Sequence, residues 1–267
     1  MRGNKLRELL KAGRPTLGTH LLDAWPSMVE LVGQSGMFDY VEFVAEYGPF
    51  DLPGLENICR AAELWDLSSM IKVDQEPRTF LAQRGIGAGF QSVLFADCRS
   101  AADARACIRA ARPETPEDGG VYGAEMRRQS FKYRGRPDTQ VEGDHVQAIR
   151  DTVVVLMIEK KGAVEQLEEI LSLPGLDMIQ WGPADYSISV GRPGQWASPE
   201  IKHVEKRVFE TALKMGVPPR CEISSPDEAK AYLDMGVRHF CIGWDVMVWF
   251  EWCRTNGEAM RRALERV

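Results

Sequence analysis

Eight short apolar runs alternate with amphipathic stretches along the chain, and this alternation constrains the fold more than any other feature of the sequence. The runs are the candidate strands Thr16–Leu21, Tyr40–Val44, Ser69–Val73, Ser92–Ala96, Thr152–Ile158, Asp177–Trp181, Arg220–Ile223 and His239–Ile242. Strands separated by helices form parallel sheets. Eight such units in 267 residues predict a closed (β/α)8 TIM barrel, an α/β fold in a single domain over residues 1–267. An open, doubly wound sheet is the alternative, but no G-x-G-x-x-G motif follows the first strand.

Amphipathic helical patterns separate these runs. They cover Met28–Ser35, Leu55–Leu64, Arg78–Ile86, Ala101–Ala111, Ala163–Leu171, Glu200–Met215, Pro226–Met235 and the stretch from Asp245 onward. The charged segment Met1–Lys11 predicts an extra N-terminal helix. Residues 112–147 interrupt the repeat and are rich in proline, glycine and charge. Because long loops in compact domains are commonly functional, we expect this insert to form a lid over the barrel mouth.

Composition excludes several classes of function. The net charge is −6 without a sustained basic patch, which argues against a nucleic-acid surface. No run of about 18 apolar residues is present, so no membrane span is expected, and the charged N-terminus lacks the apolar core of a signal peptide. We therefore expect a cytoplasmic protein. Its 6 cysteines show neither a C-x-x-C pair nor zinc-ligand spacing and are expected to be buried, reduced thiols.

Two carboxylates stand directly after apolar strands in the middle of the chain. The run Val-Leu-Met-Ile ends on Glu159, and the run Ile-Gln-Trp leads through Gly-Pro-Ala to Asp185. Chemistry in a parallel barrel collects at the C-terminal ends of the strands. Two carboxylates one βα unit apart offer the oxygen ligands that divalent cations prefer. Each could instead cap the helix that follows, but the pair and the Gly-Pro-Ala-Asp turn together favour a metal site.

The segments around these carboxylates resemble the HpcH/HpaI family of class II, metal-dependent pyruvate-type aldolases. The resemblance covers nearly the whole chain and is carried by Leu9–Thr19, Phe38–Tyr40, Met157–Glu159, Gly182–Ser187 and Ala229–Gly236. It implies a TIM barrel, a divalent metal (Mg²⁺, Mn²⁺ or Co²⁺) held by Glu159 and Asp185, and a small-molecule 2-oxo acid bound to that metal. It also implies a hexamer, built as a trimer of dimers, whose paired subunits exchange a C-terminal helix.

Three positions depart from the family pattern. Where the family has an Asp-x-x-His pair after the second strand, this chain has Val44 and Tyr47. An arginine that binds the keto acid in the family is Lys72 here, and a glutamine near the first metal ligand is Met157. Lysine supplies positive charge without the bidentate fork of arginine. The metal platform is retained, whereas the acid–base groups have been exchanged.

Several residues are candidates for the missing base. His20 lies near the end of the first strand and histidine titrates near neutral pH, although a buried histidine bonded to the backbone is the alternative. Tyr47 is a proton donor if a nearby cation lowers its pKa, and is otherwise an amphipathic wall of the pocket. Glu46 is expected to orient metal-bound water. Lys72 is expected to bind the carboxylate or enolate oxygen, with a Schiff base as the alternative.

Further residues at the strand ends are expected to line the substrate pocket. These are Trp181, Gly182, Pro183, Ala184, Arg220 and Trp244. The two tryptophans suit an apolar or aromatic substrate tail, but they pack equally well as core. The arginine alternates with Glu222 on the seventh strand, and is either a substrate clamp or part of a polar layer that closes the barrel.

We predict a metal-dependent carbon–carbon lyase that cleaves or forms a 4-hydroxy-2-oxo acid from a pyruvate-type enolate and an aldehyde. The alternative is a Claisen-type or decarboxylating lyase acting on a citrate-like or acyl-CoA substrate, for which Arg127, Arg128, Arg134 and Arg136 are candidate anion-binding residues. A third hypothesis is a non-catalytic binder, which the retained carboxylates oppose because unpaired buried charges cost stability. The apolar stretch Trp244–Trp252 predicts a partner surface, in agreement with helix exchange.

Overall fold

Eight parallel strands form a closed barrel in the computed structural model of the protein, which describes residues 3–123 and 139–265 and, for residues 139–144, the backbone alone. The strands are β1 (Thr16–Leu21), β2 (Tyr40–Val44), β3 (Ser68–Val73), β4 (Ser92–Cys98), β5 (Val153–Ile158), β6 (Met178–Trp181), β7 (Pro219–Ile223) and β8 (His239–Trp244). Each strand pairs in parallel with the next along the chain, and β8 pairs with β1 to close the ring. The predicted TIM barrel is confirmed.

Helices connect the strands on the outside of the barrel. In chain order they are α1 (Lys5–Lys11), α2 (Pro26–Ser35), α3 (Leu52–Leu64), α4 (Arg78–Ala88), α5 (Ala101–Ala110), α6 (Thr139–Arg150), α7 (Lys161–Glu165), α8 (Leu167–Leu171), α9 (Pro183–Ser189), α10 (Pro199–Lys214), α11 (Ala229–Met235) and α12 (Asp245–Leu264). The predicted helix Ala163–Leu171 is two short helices that meet at Gln166, whose side-chain oxygen accepts a hydrogen bond from the Ala101 N–H. The predicted helix Pro226–Met235 begins as a 3₁₀ turn before α11.

Alternation along β5 sets the direction of the first candidate carboxylate. Val153, Val155 and Met157 belong to the cluster of side chains inside the barrel, whereas the residues between them pack in the layer between strands and helices. Because successive side chains of a strand point to opposite faces, Glu159 continues the inward face. The same rule places Met178 inside the barrel and Trp181 in the outer layer.

Helix α1 closes the end of the barrel opposite the mouth. Leu6 is fully buried in the interior cluster. Asn4 Nδ2 donates hydrogen bonds of 2.7 and 2.9 Å to the backbone carbonyls of Gln91 and Asp151, which lie one and two residues before β4 and β5. Arg7 forms a salt bridge with Asp177, which precedes β6. The predicted N-terminal helix therefore ties together the loops that begin three neighbouring strands.

The described part of the predicted lid lies at this same end. Arg112 donates a hydrogen bond of 2.7 Å to the Thr152 carbonyl and forms a salt bridge of 3.0 Å with Asp177. Residues 112–123 therefore do not cover the mouth. Residues 124–138, which include the four arginines of the alternative hypothesis, lie outside the described part of the chain.

Helix α12 carries an exposed apolar surface. None of its described residues is buried. Trp249 and Trp252 are 65% and 58% exposed, and their rings stack with centroids 5.3 Å apart. Val248 and Phe250 are also exposed, so several large apolar side chains face solvent. No helix among the described residues combines the length and the apolar character that a membrane span requires.

We expect Leu6→Ala to lower the free energy of unfolding by about 3 kcal/mol, because it removes a fully buried side chain and leaves a cavity at the base of the barrel. Chemical denaturation followed by circular dichroism measures the change. Leu64→Ala is the control, since Leu64 is 72% exposed at the end of α3; it should change stability by less than about 0.5 kcal/mol. If both variants lose the same free energy of unfolding, Leu6 of α1 does not contribute to the core at the base of the barrel.

Candidate active site

The carboxylate of Glu159 lies at the mouth of the barrel, directly after β5. It is buried, and its Oε1 accepts a hydrogen bond of 2.6 Å from the backbone N–H of Asp97. Asp97 has a left-handed φ of 58° and lies where the register of β4 against β5 shifts between Phe95 and Cys98. Such a backbone costs about 1–3 kcal/mol. The structure retains it where it directs an N–H at the buried carboxylate.

Gly182 makes room for this carboxylate. A Cβ at this position would collide with Glu159 Oε2 and lie 2.9 Å from Met157 Cε. The glycine is followed by Pro183, which begins α9, and the first turn of that helix carries Asp185. The Gly-Pro-Ala-Asp turn therefore has a physical reason, because it brings the second carboxylate to the cavity that contains the first.

A lysine links the second carboxylate to the end of β4. Lys160 Nζ lies 2.7 Å from Asp185 Oδ1 and 2.5 Å from Asp97 Oδ1. Sequence analysis missed both Lys160 and Asp97. The available signals were their positions, since Lys160 directly follows Glu159 and Asp97 lies just beyond the predicted end of β4 at Ala96.

The buried carboxylate carries an electrostatic cost that a cation would relieve. Burial raises the pKa of Glu159 to about 7, and Asp185 contributes in the same direction, while the Asp97 N–H, Lys72 and Lys160 lower it. The candidate ligands are carboxylate oxygens, which hard divalent cations prefer. The residues present therefore fit the predicted metal.

Lys72 is a second lysine near the two carboxylates and lines the same cavity. Its Nζ forms an ion pair of 2.6 Å with Glu46 and lies 5.1 Å from the ring centroid of Tyr47. Burial lowers the pKa of Lys72, but Glu46 and Tyr47 outweigh this, so the net shift is upward and the amine stays protonated. A protonated amine binds anions but is not a nucleophile, which removes support from the Schiff-base alternative.

Tyr47 is 57% exposed and lines the cavity beside Lys72. Burial and Glu46 raise its pKa, and the lowering influence of Lys72 does not offset them. The condition set for Tyr47 as a proton donor, a pKa lowered by a nearby cation, is therefore not met. Tyr47 stays protonated at neutral pH, so it can donate a hydrogen bond but does not act as a base. Glu46 contacts Lys72 and is not among the residues that line the cavity.

A cavity of about 570 Å³ joins the two candidate metal ligands to most of the predicted substrate-binding residues. Its lining includes Tyr47, Lys72, Glu159, Trp181, Gly182, Pro183, Ala184, Asp185 and Trp244. This volume lies within the range of roughly 300–1,000 Å³ typical of small-molecule sites. Three predicted site residues, His20, Glu46 and Arg220, do not line it.

Arg220 lies inside the barrel below the cavity. It is fully buried, forms an ion pair with the equally buried Glu42, and donates a hydrogen bond of 2.7 Å from Nε to Tyr40 Oη. Its Nη1 donates to Gln180 Oε1. These partners occupy the guanidinium, so the predicted substrate clamp is not formed. Arg220 is instead part of a polar layer inside the barrel, which was the alternative interpretation from the sequence.

His20 belongs to the same polar layer. Its Nε2 lies 3.6 Å from Glu42 Oε1 and 3.5 Å from Glu222 Oε2, and its ring stacks on Trp244 with centroids 4.8 Å apart. Although burial lowers the pKa of His20, Cys241 and the two glutamates raise it to about 9. The histidine is therefore buried and protonated at neutral pH, which is the wrong state for the general base predicted from the sequence.

The polar layer also contains a second group of side chains with metal-ligand chemistry. The ligand atoms of His20, Glu42 and Cys241 lie within 4.8 Å of one another. Arg220, however, already pairs with Glu42. A cation there would lie beside a fixed guanidinium, and like charges at this separation repel. The two carboxylates at the mouth are therefore the better metal site.

Glu222 connects the polar layer to the cavity. Its side chain is 32% exposed and lines the cavity. It accepts hydrogen bonds from Gln180 Nε2 at 3.1 Å and from Trp244 Nε1 at 2.9 Å, which fix its orientation. The sequence indicated this position, because Glu222 lies two residues after Arg220 on β7 and the two side chains therefore point to the same face of the strand. The result is a fixed carboxylate in the cavity, separate from the two candidate metal ligands.

Comparison with known proteins places this barrel among aldolases and lyases. The family model described as HpcH/HpaI aldolase/citrate lyase matches residues 18–250. A 4-hydroxy-2-oxo-heptane-1,7-dioate aldolase from Klebsiella pneumoniae subsp. pneumoniae is 26% identical over 91% of this chain and 88% of that protein. One from Escherichia coli is 27% identical over 91% and 89% of the two chains.

Solved structures give the same result for the fold. An aldolase/citrate lyase family protein from Burkholderia cenocepacia J2315 matches with a TM-score of 0.83 at 25% identity, over 97% of this chain and 100% of that chain. Citrate Synthase SbnG matches with a TM-score of 0.84 at 19% identity, over 98% and 100% of the two chains. At this identity the second match shows the fold alone.

A TIM barrel of this family is a carbon–carbon lyase, and the protein is therefore an enzyme of that class. The chain belongs to the HpcH/HpaI aldolase/citrate lyase family, because the family model covers most of its length. This confirms the resemblance seen in the sequence.

We expect Glu159→Gln to raise the thermal midpoint of the metal-free protein above pH 7. The folded-state pKa of about 7 exceeds the unfolded value of about 4.3, so the cost to stability grows as the pH rises between these two values and is complete above about pH 7. The gain in the free energy of unfolding should be about 3 kcal/mol. The same variant should lose the increase in midpoint that Mn²⁺ produces in the wild type.

The matched control is Glu165→Gln, at a glutamate whose side chain is 63% exposed on α7. It should leave both the midpoint and the Mn²⁺ effect unchanged. Differential scanning calorimetry with chelator and with Mn²⁺ measures both quantities. If Glu159→Gln lowers the thermal midpoint and Mn²⁺ still raises it, Glu159 is not a metal ligand.

The polar layer predicts a dependence of stability on pH. The pKa of His20 rises from about 6.5 in the unfolded chain to about 9 in the folded protein. Its contribution is complete below about pH 6.5 and is lost as the pH rises to about 9, so the free energy of unfolding should fall across this interval by about 3 kcal/mol. Urea denaturation at intermediate pH values measures the slope. His20→Gln should flatten it, whereas His203→Gln, at an exposed position, should retain it.

Proposed function

We propose that the protein is a metal-dependent lyase that cleaves or forms a 4-hydroxy-2-oxo acid, with pyruvate or a close relative as one product and an aldehyde as the other. The observation that carries this proposal is the shared cavity of Glu159, Asp185 and Lys72 at the C-terminal ends of the strands. Two carboxylates for a metal and one ammonium for an acid form the minimum set for stabilising a keto-acid enolate.

Glu159 and Asp185 are the residues that would hold the metal, which we propose to be Mg²⁺, Mn²⁺ or Co²⁺. A metal bound there would polarise the keto group and stabilise the negative charge that develops on its oxygen. The hydrogen bond from the Asp97 N–H keeps Glu159 Oε1 in position, and Lys160 does the same for Asp185. Supporting groups of this kind orient ligands and tune their affinity.

The other residues of the cavity bind the substrate and move its proton. Lys72, kept protonated by Glu46, neutralises the carboxylate or the enolate oxygen. Glu222 accepts the proton of the 4-hydroxyl group; the C3–C4 bond then breaks, its electron pair forms the enolate, and the aldehyde leaves. The proton that Glu222 took up then returns to C3, which completes pyruvate and restores the carboxylate. Tyr47 donates a hydrogen bond to the substrate. His20, whose Nε2 lies 3.5 Å from Glu222 Oε2, supplies a fixed positive charge on the side of the polar layer.

The test is metal-dependent exchange of the methyl protons of pyruvate in D₂O, followed by proton NMR. We expect exchange with Mg²⁺, Mn²⁺ or Co²⁺ and none with chelator, because enolisation is the half-reaction that needs no aldehyde. Asp185→Asn should reduce the exchange rate at least tenfold, on the order of the loss caused by disturbing a metal site. Asp234→Asn, 66% exposed on α11, is the control. Absence of exchange with all three metals would overturn the proposal.

The Claisen-type or decarboxylating alternative receives less support from the described residues. A CoA ester or a citrate-like substrate calls for several cations, and the arginines suggested for that role lie at positions 127, 128, 134 and 136, outside the described part of the chain. Within the described lining, the cations are Lys72 and Lys202, and both are paired with glutamates.

We propose that α12 binds a second copy of the chain. This agrees with the hexamer that the family resemblance implies, in which paired subunits exchange their C-terminal helices. Support comes from the stacked, exposed Trp249 and Trp252. We also propose a cytoplasmic location, supported by five buried free cysteines.

Light scattering tests the proposed hexamer. It should report a hexamer for the wild type, which Trp249→Glu dissociates, whereas Leu64→Glu on α3 should leave the hexamer intact. A monomeric wild type would contradict the exchanged helix.

A further inference from the structure

The ammonium group of Lys160 lies between one candidate metal ligand and a carboxylate of the neighbouring strand. Its Nζ is 2.7 Å from Asp185 Oδ1 and 2.5 Å from Asp97 Oδ1, which are the distances of charge-assisted hydrogen bonds. The Lys160 side chain is 16% exposed, so water screens these interactions only in part. Lys160 therefore holds a positive charge against a carboxylate that would bind the metal.

The order of the strands produces this arrangement. Strand β5 lies between β4 and β6 in the barrel, so the end of β4, which carries Asp97, and the first turn after β6, which carries Asp185, flank the end of β5. Lys160 follows Glu159 in extended backbone, with φ −122° and ψ 145°. Successive side chains of an extended chain point to opposite sides. Lys160 therefore points away from the inward direction of Glu159 and reaches both neighbours.

Lys160 contacts Asp185 from outside the substrate cavity. The described lining of the cavity includes Asp185, whose side chain is 38% exposed, but neither Lys160 nor Asp97. The ammonium is thus separated from the substrate that Lys72 is proposed to bind. Its influence on the site acts through the charge of Asp185.

Asp97 gives Lys160 an alternative partner. Its backbone N–H donates to Glu159 Oε1, while its side-chain carboxylate contacts the Lys160 ammonium. Lys160 can therefore release Asp185 and still keep one carboxylate at 2.5 Å. An ammonium that loses one of two partners remains paired, which makes the release less costly than exposing an unpaired charge.

The Lys160 ammonium has two opposing effects on a metal ligand. It orients Asp185, which favours metal binding. It also neutralises part of the negative charge that attracts the metal, and the affinity of carboxylate sites depends on that charge. The second effect is the larger, because Asp185 is already positioned by the first turn of α9, whereas a single and a double positive charge on one carboxylate repel strongly in a partly buried site.

We propose that Lys160 competes with the divalent metal for Asp185, thereby lowers the metal affinity of the site, and pairs with Asp97 alone when the metal is bound. This inference rests on the metal site of the proposed function and names the residue that sets its affinity. A site with such a built-in competitor releases its metal readily. Its occupancy then follows the concentration of the free ion.

The first test is isothermal titration calorimetry of Mn²⁺ into the full-length protein without substrate. We expect Lys160→Met to bind Mn²⁺ at least about tenfold more tightly than the wild type, because the competing charge is removed while the length of the side chain is kept. Lys160→Arg keeps the charge and should stay within about threefold of the wild type. The matched control is Lys161→Met, at the next residue, whose side chain is 64% exposed; it should leave the affinity unchanged.

The role of Asp97 is tested by a double-mutant cycle. Asp97→Asn keeps the N–H that holds Glu159, and asparagine tolerates the left-handed φ of 58° at this position. It leaves Lys160 with Asp185 as its carboxylate partner, so we expect about tenfold weaker Mn²⁺ binding. In the Lys160→Met background the same substitution removes only a nearby charge and should weaken binding by less than about threefold.

Thermal stability provides a readout that does not depend on calorimetric affinity. Without metal, Lys160→Met leaves the carboxylates of Asp97 and Asp185 beside each other without the shared ammonium. Its thermal midpoint in chelator should therefore fall below that of the wild type, and Mn²⁺ should raise it by more than it raises the wild type. Lys161→Met should match the wild type in both conditions.

The outcomes separate this inference from the proposed reaction. If Lys160→Met binds Mn²⁺ more tightly but pyruvate exchange fails, the competition stands and the proposed reaction falls. If exchange succeeds but Lys160→Met binds Mn²⁺ no more tightly than the wild type, the inference is overturned and the reaction stands. An equal effect of Asp97→Asn in the two backgrounds would also overturn it, because Asp97 would then not act through Lys160.

Discussion

The burial of one carboxylate charge at the mouth of the barrel governs the arrangement of its surroundings. Glu159 continues the inward face of β5, and its Oε1 receives the N–H of Asp97 from a strained turn. Gly182 is needed because any side chain there would meet Glu159 Oε2. Burial nevertheless raises the pKa of Glu159 to about 7, so the protein alone does not compensate the charge. The unmet charge is the physical argument for the proposed divalent cation.

The interior of the barrel contains two polar regions with different surroundings. At the mouth, Glu159, Asp185 and Lys72 line a cavity. Below them, Arg220, Glu42 and His20 are buried and compensate one another. Breaking a buried pair by removing one partner is strongly destabilising, which explains why this layer has a structural role. Glu222 and Trp244 form the boundary, since each contacts both the layer and the cavity.

Much of the fold follows from local pattern. The eight strands and the positions of Glu159 and Asp185 could be predicted because periodicity and strand ends are encoded in adjacent residues. The pairing of Arg220 with Glu42 could not, because β7 and β2 meet across the barrel and only the closed ring sets their relative height. His20 was predicted at the mouth for the same reason: its distance from the cavity depends on the Trp244 ring that covers it. Asp97 was missed because its backbone N–H, rather than its side chain, contacts Glu159.

The most direct measurement is a crystal structure of the protein grown with Mn²⁺ and pyruvate, with diffraction data collected at the manganese absorption edge. The account predicts one anomalous peak in contact with both Glu159 and Asp185, with the keto acid on the same ion and its carboxylate towards Lys72. A peak in the buried layer at His20 and Cys241, or pyruvate bound without manganese, would contradict it.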